Sequence, residues 1–274
     1  NGTRYDGRST GSVWTFDNTI DSKPKVGLHD IDFMVGSSWT HSKWSQNYIN
    51  ASDYADDVVR TLNAANKISW SGTGSSASEW SIMSYFGRLQ YNFKSTYMIT
   101  ANLRADGSSR LAPGHKWGWF PSFSGAWRMS NERFMKNVPW INDLKIRGGW
   151  GQTGNQSGLG DYAYLAMYNF NRIQWWEAGK DHAVPTRTQS SLSNPDLTWE
   201  TTTQTDIGFD LTVLNNRLTL YADWYYKKTT DLIMNMTLPA GSAAARSLAR
   251  NGGTIVNKGM EFTVKSHNLI GSFK

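Results

Sequence analysis

The chain contains no cysteine, which excludes a disulfide framework, cysteine-ligated zinc and thiol catalysis. No run of about 18 apolar residues occurs, so no helix is expected to cross a membrane. Hydrophobic residues make up only 39% of the 274 positions, below the usual share for a globular chain, and proline is limited to 7. No signal peptide is recognisable, and the sequence does not open on methionine. The net charge of +6 comes from scattered Lys and Arg, where nucleic-acid binding would want them gathered on one face. His29, His41, His115, His182 and His267 are dispersed without metal spacing. The stretch DYADD (53–57) lacks the glycine and the spacing of a calcium loop. No serine sits in a nucleophile elbow, and the glycines of GWGQTGNQSGLG (149–160) lack the strand–helix flanks of a phosphate loop. They read as residues that let the chain turn out of a sheet.

What the chain does have is rings and glycine: aromatics are 14%, with 14 Trp, and there are 25 Gly. That mixture suits many strands with rings at boundaries. A two-residue alternation recurs. In TYMITANLRADG (96–107), Tyr97, Ile99, Ala101, Leu103 and Ala105 oppose Met98, Thr100, Asn102, Arg104 and Asp106. In DIGFDLTV (206–213), Ile207, Phe209, Leu211 and Val213 oppose Asp206, Gly208, Asp210 and Thr212. RLTLYADWYYKK (217–228), YFGRLQYNF (85–93), LKIRGGW (144–150) and MEFTVK (260–265) repeat the pattern. Successive strand side chains point to opposite faces, so alternation marks strands with one oily and one wet face.

Nine strands are expected, at about 11–20, 26–45, 80–93, 96–106, 117–129, 142–152, 197–213, 217–233 and 253–266, with a tenth starting near 269. The connections alternate in length. Short ones fall at 21–25, Lys94-Ser95, 130–141, Asn215-Asn216 and 267–268. Long or medium ones fall at 46–79, 107–116, 153–196 and 234–252. Asn215-Asn216 suits a two-residue hairpin because Asn tolerates positive φ. SNERFMKNVPWI (130–141) reads as one helical turn capped by Ser130 or Asn131.

An up-and-down meander puts alternate connections at opposite ends, so one end is trimmed and the other carries large loops. Outer-membrane barrels have this asymmetry, with short periplasmic turns and long outer loops. The strands reach the about 9–11 residues needed to span. Rings gather at strand ends: Tyr91, Phe93, Tyr97, Trp127 and Trp140 toward the short turns, and Trp80, Trp117, Trp119, Phe120, Trp150 and Trp199 toward the long loops. Two such girdles match aromatic belts at lipid–water interfaces. The fold class expected is therefore all-β: part of an antiparallel transmembrane β-barrel, oily face to lipid and polar face to a wet lumen. The competing reading is a soluble β-rich domain that binds or hydrolyses carbohydrate, with the oily face buried between sheets.

Several stretches resemble the SusC/RagA-like TonB-dependent transporters of the Bacteroidetes outer membrane. They are SYFGRLQYNFKSTYMITANLRADGSSRLAPGHKWGWFPSFSGAWRMSNERFM (84–135), INDLKIRGGWGQTGNQ (141–156), NPDLTWETTTQTDIGFDLTVLNNRLTLYADWYYKKTTDLIMNMTLPAG (194–241) and NGGTIVNKGMEFTV (251–264). The likeness covers roughly two-thirds of the chain and is weaker over residues 1–80. It implies a 22-stranded barrel with an internal N-terminal plug, importing a glycan or peptide nutrient across the outer membrane. It implies energy delivered by TonB through the plug, a SusD-like surface lipoprotein as lid, and dimers of such transporter–lid pairs. About ten of those strands are expected here. No TonB box, plug or closing C-terminal strand is recognisable, and the ends, NGTRYDG and IGSFK, read as cut from a longer polypeptide.

No catalytic, cofactor or metal residues are expected, and the function expected is transport without catalysis. Asp206 and Asp210 are four apart on one strand, roughly 13 Å along it, too far for a two-carboxylate hydrolase. Arg88, Arg104, Asp106, Arg128, Arg147, Asp206 and Asp210 are expected to line the lumen, where they serve hydration, contact the plug or select substrate. Trp175 and Trp176, in the longest loop region, are candidates for stacking on sugars or packing against a lid; the competing reading is a loop that packs on its own rings.

Overall fold

The computed structural model describes residues 2–55, 58–59, 61–69, 72–176, 183–239, 245 and 247–268, with the side chains of 170–186 outside that set. Nine long strands form one antiparallel sheet: β1 (Thr3–Ser22), β3 (His29–Tyr54), β5 (Gly74–Phe93), β6 (Tyr97–Ser108), β7 (Trp117–Arg128), β8 (Ile141–Asn155), β11 (Glu200–Val213), β12 (Leu218–Thr230) and β15 (Thr254–Ser266). They lie side by side in chain order, and the short strands β2 (Lys25–Val26) and β4 (Ala65–Ile68) add to β3. The sheet is a single open arc with β1 and β15 at its edges. Contacts run between hydrogen-bonded neighbours rather than between stacked layers. All nine long strands expected from the alternation are present; the tenth, near 269, lies outside the described residues.

The remaining strands occupy the long connections. β9 (Met167–Trp176), β10 (Ala183–Ser191), β13 (Ile233–Thr237) and β14 (Ser247–Asn251) make a second, four-stranded sheet in the order β13-β14-β10-β9. Thus the connections read from the sequence as long irregular loops carry structure of their own.

Three strands run further than expected. β1 begins at Thr3, β3 continues to Tyr54, and β5 begins at Gly74. Their added segments are rich in Ser, Asn and Thr, a composition that reads as loop. The ladders Thr3↔Ser52 through Gly11↔Trp44, and Tyr48↔Gly74 through Lys43↔Glu79, give their backbone groups partners, so they stay extended. A strand of 26 residues, as β3 is, far exceeds the about 9–11 that a bilayer requires. The glycines of 149–160 also differ from expectation. β8 continues through Gly151 and Gly154 to Asn155, and the chain leaves the sheet only around Gly158, at φ +89°.

The short connections are tight. Lys94 and Ser95 both adopt positive φ (54° and 53°), and the Thr96 N–H donates to the Phe93 carbonyl at 2.9 Å. Leu214, Asn215 and Asn216 are left-handed in succession (60°, 55°, 64°), closed by the Arg217 N–H on the Leu214 carbonyl at 3.2 Å. The β7–β8 connection is two 3-10 turns, Met129–Asn131 and Arg133–Asn137. Neither is capped by Ser130 or Asn131. The Ser130 hydroxyl donates instead to Asp143 at 2.5 Å, and the Asn131 amide donates to the Ser95 carbonyl at 3.2 Å, tying this turn to its neighbour.

Leu214 is the poor fit in its turn, because a branched L-residue in the left-handed region costs about 1–2 kcal/mol and Asn much less. Leu214→Asn is expected to stabilise the folded protein by about 1 kcal/mol. Its folded, fast-migrating gel form should persist to a higher heating temperature; an earlier loss of that form would contradict the strain.

Candidate functional site

Antiparallel register fixes which residues share a face. Cross-strand pairs run Ile31↔Tyr91↔Ile99↔Gly125↔Gly148↔Ile207↔Trp224↔Met260 without a break. Neighbouring rows add Val35, Leu89, Leu103, Phe123, Ile146, Phe209, Phe262 and Val264 to the same side, most of them large and exposed. One side of the arc is therefore a continuous apolar surface.

At the short-turn end this surface is edged by stacked rings. Phe93–Tyr97 and Tyr97–Trp127 centroids are each 6.4 Å apart, the second pair nearly parallel at 7°, and Phe134 meets Trp127 edge-on at 6.4 Å. The Tyr97 hydroxyl donates to Glu132 at 2.6 Å and the Trp127 indole N–H donates to the same oxygen at 3.2 Å. Rings with one wet edge suit a lipid–water boundary. The hydrogen bond from Tyr97, then that from Trp127, with a smaller contribution from the charge of Lys94, hold the Glu132 carboxyl below the usual glutamate range against the opposing effect of burial.

At the long-loop end the expected girdle divides. Trp117, Trp119 and Trp150 lie on the apolar side and are exposed. Trp80, Phe120 and Trp199 do not belong with them. Phe120 pairs with Arg104 and so points to the polar side. It meets Trp199 edge-on at 5.5 Å, both nearly fully buried, within a core shared by Leu111, Ala112, Leu159, Leu197 and Ala249. The Arg110 guanidinium lies 4.5 Å over the Trp80 ring and pairs with Asp161 at 2.8 Å. Position along a strand placed these rings at the right end; strand parity puts Trp80 and Phe120 on the other side, and Trp199, just before β11, is held there by its packing against Phe120.

This buried cluster gathers three long connections. Asp161 also accepts from the Ser78 hydroxyl, and the Glu79 N–H donates to the Tyr162 hydroxyl at 3.3 Å. The Trp199 indole donates to the Lys116 carbonyl at 2.9 Å. The Asn251 amide group donates to the carbonyls of Thr198 (2.8 Å) and Asp231 (2.9 Å), and its oxygen accepts from the Thr198 N–H at 2.9 Å. The Glu200 carboxylate takes the Asn155 amide at 2.9 Å and the Ile233 N–H at 3.1 Å. The segments NPDLTWE and NGG thus supply a core and its polar braces.

The other side of the arc is polar. Arg88, Arg104, Asp106, Arg128, Arg147, Asp206 and Asp210 all lie on it by register. Most are paired. Arg104 Nε meets Asp106 at 2.8 Å and its Nη2 donates to Ser84 at 3.0 Å; Arg88 lies 3.6 Å from Asp32; Arg128 lies 3.4 Å from Asp143. Asp206 accepts from the Gln204 amide at 3.0 Å. Asp210 is held by Lys145 (2.6 Å) and by Arg147 Nε (3.1 Å), while Arg147 Nη2 reaches Asp223 at 2.7 Å. Arg147 on β8 therefore spans β11 to reach β12. Gly208 is the residue it crosses, being opposite both Arg147 and Asp223. Lys145, Asp223 and Gly208 were not among the site residues expected from the sequence. The signal was a glycine between two charged positions on alternating strands, visible only once the register is known. A cavity of about 420 Å³ opens beside this group, between Thr100, Ser124, Gly149, Arg147 and Asp206. The backbone of Trp175 and Trp176 lies in β9, and their side chains fall outside the described residues. Among the described residues no three His, Cys, Asp or Glu gather closely enough to hold a metal ion.

A one-layer antiparallel sheet, apolar and ring-edged on one side and charged on the other, defines the wall of a transmembrane β-barrel. Residues 1–273 match the family described as TonB dependent receptor-like, β-barrel, and the chain belongs to that family. It is 33% identical over 246 residues to the TonB-dependent receptor SusC of Bacteroides thetaiotaomicron, covering 89% of this chain and 24% of that protein. It is 31% identical over 257 residues to TonB-dependent receptor P39 of Formosa agariphila, covering 92% and 23%. A solved structure of the RagAB peptide transporter superposes with a TM-score of 0.84 at 25% identity, over 96% of this chain and 28% of that one. The siderophore receptor PirA from Acinetobacter baumannii shares the fold, with a TM-score of 0.57 at 14% identity over 93% of this chain and 34% of that one. The chain spans about a quarter of the length of the curated relatives it matches. It is an outer-membrane protein of the SusC type.

Two outcomes follow. A methyl at Gly208 would collide with the Asp223 carboxylate and lie 2.9 Å from the Ala222 carbonyl. Gly208→Ala in the full-length receptor is expected to cost about 1–3 kcal/mol by this overpacking and by loosening Arg147 from Asp223; an unchanged heat-dependence of gel mobility would contradict the crossing. For Glu132, the depressed folded pKa makes its stabilising contribution complete above the ordinary value of about 4.3 and lost as pH falls through the lower folded value. A carbon-13 titration of Glu132 should show the low midpoint, and Tyr97→Phe should move it upward. An unmoved midpoint would remove Tyr97 as the main cause.

Proposed function

We propose that this chain is part of the barrel wall of an importer that carries a glycan or peptide nutrient across the outer membrane, driven by TonB and acting without catalysis. The observation that carries the reading is the unbroken division of the arc into an apolar side and a self-paired charged side. Hydrocarbon tolerates the first and a water-filled passage tolerates the second. In this reading the apolar side faces lipid, the polar side faces the lumen, and the short turns face the periplasm.

The ion pairs of Arg104, Arg128 and Arg147 neutralise one another within the wall, so most of them brace the lumen rather than select cargo. Selection then falls to the long outer connections and to segments outside this chain: a plug that transmits TonB's pull and a SusD-like surface lipoprotein as lid, in paired assemblies. The likeness to SusC and to a peptide transporter supports these partners and leaves glycan and peptide as the two cargo classes.

The test is uptake by cells carrying the full-length receptor. Labelled oligosaccharide and oligopeptide pools should enter in a receptor-dependent manner, and entry should stop when TonB is deleted or the proton gradient is collapsed. Uptake of neither pool, or uptake that survives TonB loss, would overturn the proposal.

A further inference from the structure

The apolar side is not evenly filled. Between β3, β5, β6 and β7 it carries a groove of about 810 Å³ lined by Val35, Tyr85, Leu103, Trp117 and Trp119, with Gly87 and Ala105 in the floor. Register explains it. Val35, Gly87 and Leu103 form one row, and Tyr85, Ala105 and Trp119 the next. Two small side chains thus sit in the middle of two rows of large ones. Trp117 lies flat on the bare Gly107, where a Cβ would come within 2.8 Å of the ring, and stacks on Tyr85 at 6.0 Å and 17°. The rings therefore form a rigid wall at the long-loop end, while the floor beneath is open. A Cβ at Gly87 would meet nothing nearer than 3.7 Å.

We propose that this groove holds one acyl chain of an outer-leaflet lipid as an ordered, preferred site. The inference rests on the assignment of the apolar side to the bilayer. On that assignment the groove is continuous with the membrane surface, and the long-loop end places it in the outer leaflet. Its lining offers almost no polar partner, so water gains nothing there. An empty groove would forfeit dispersion contacts along both walls. Packed barrel side chains cannot move in to fill it, but a flexible hydrocarbon chain can. The hydrophobic effect gives no preference between lipid and protein surface here. The preference comes from shape: a chain in the groove touches walls on three sides, where a chain on the flush surface touches one.

The test uses the full-length receptor reconstituted in nanodiscs of phospholipid doped with a phospholipid whose acyl chain carries a diazirine. After photolysis, cross-links are mapped by mass spectrometry. Labelling of Tyr85, Leu103 and Trp117 should saturate as the doped fraction rises and should fall severalfold in Gly87→Leu. Labelling of Met260 and Phe262 on β15 should rise in proportion and be unaffected by that variant. Proportional labelling everywhere would overturn the groove while leaving the membrane face intact. Labelling of the polar side in place of the apolar side would instead overturn the bilayer assignment. Because the saturation comparison is made within the unmutated receptor, it stands even if Gly87→Leu does not fold.

Discussion

The backbone hydrogen-bond ladder is the constraint from which the rest of the structure follows. Hydrocarbon offers no partner to an amide or a carbonyl, so every such group within the bilayer must bond to a neighbouring strand. That demand forces long strands, strict antiparallel pairing and a common register across β3, β5, β6, β7, β8, β11, β12 and β15. Once register is set, side-chain parity is set with it, and one residue type per face becomes possible over the whole arc.

The two faces then solve different problems. Outside, large apolar groups need only fit lipid, so exposure costs nothing there. Inside, charge must be compensated locally, and it is compensated across strands: Lys145, Arg147, Asp210 and Asp223 join three strands through one glycine-sized gap. At the long-loop end a third environment appears. Leu111, Leu197, Phe120 and Trp199 form a dry cluster above the polar side, so the long connections are packed like a small domain. A wall, a wet interior and a packed roof come from one chain because each is carried by a different set of positions.

Much of this was legible in the residues. Alternation located all nine long strands, and the pairing of short with long connections gave the topology. The seven charged residues picked from strand parity do share one face. What the residues could not give was tertiary. Ser- and Asn-rich segments such as 46–54 look like loop because composition reports propensity, while pairing on both edges decides the outcome. Phe120 and Trp199 look like girdle rings because place along a strand is readable, whereas burial under a returning loop is not. Gly208 looks like a weak strand position until its two cross-strand neighbours are known to be charged. Ser130 has the chemistry of a helix cap, yet Asp143 lies within reach and accepts the hydrogen bond from its hydroxyl.

The great length of β3 has a mechanical consequence. Its 26 residues extend roughly 85 Å along the strand, and even at a tilt of about 45° they rise some 60 Å, against an apolar band of about 25 Å. Together with the outer halves of β1 and β5 they form a tall, continuously paired margin on one side of the arc. Elsewhere along the rim, the chain folds inward into the Leu197 cluster. The margin of this arc is thus uneven, tall on one side and packed over on the other. Within one arc, then, some strands stand well clear of the apolar band while others are closed over by their own connections.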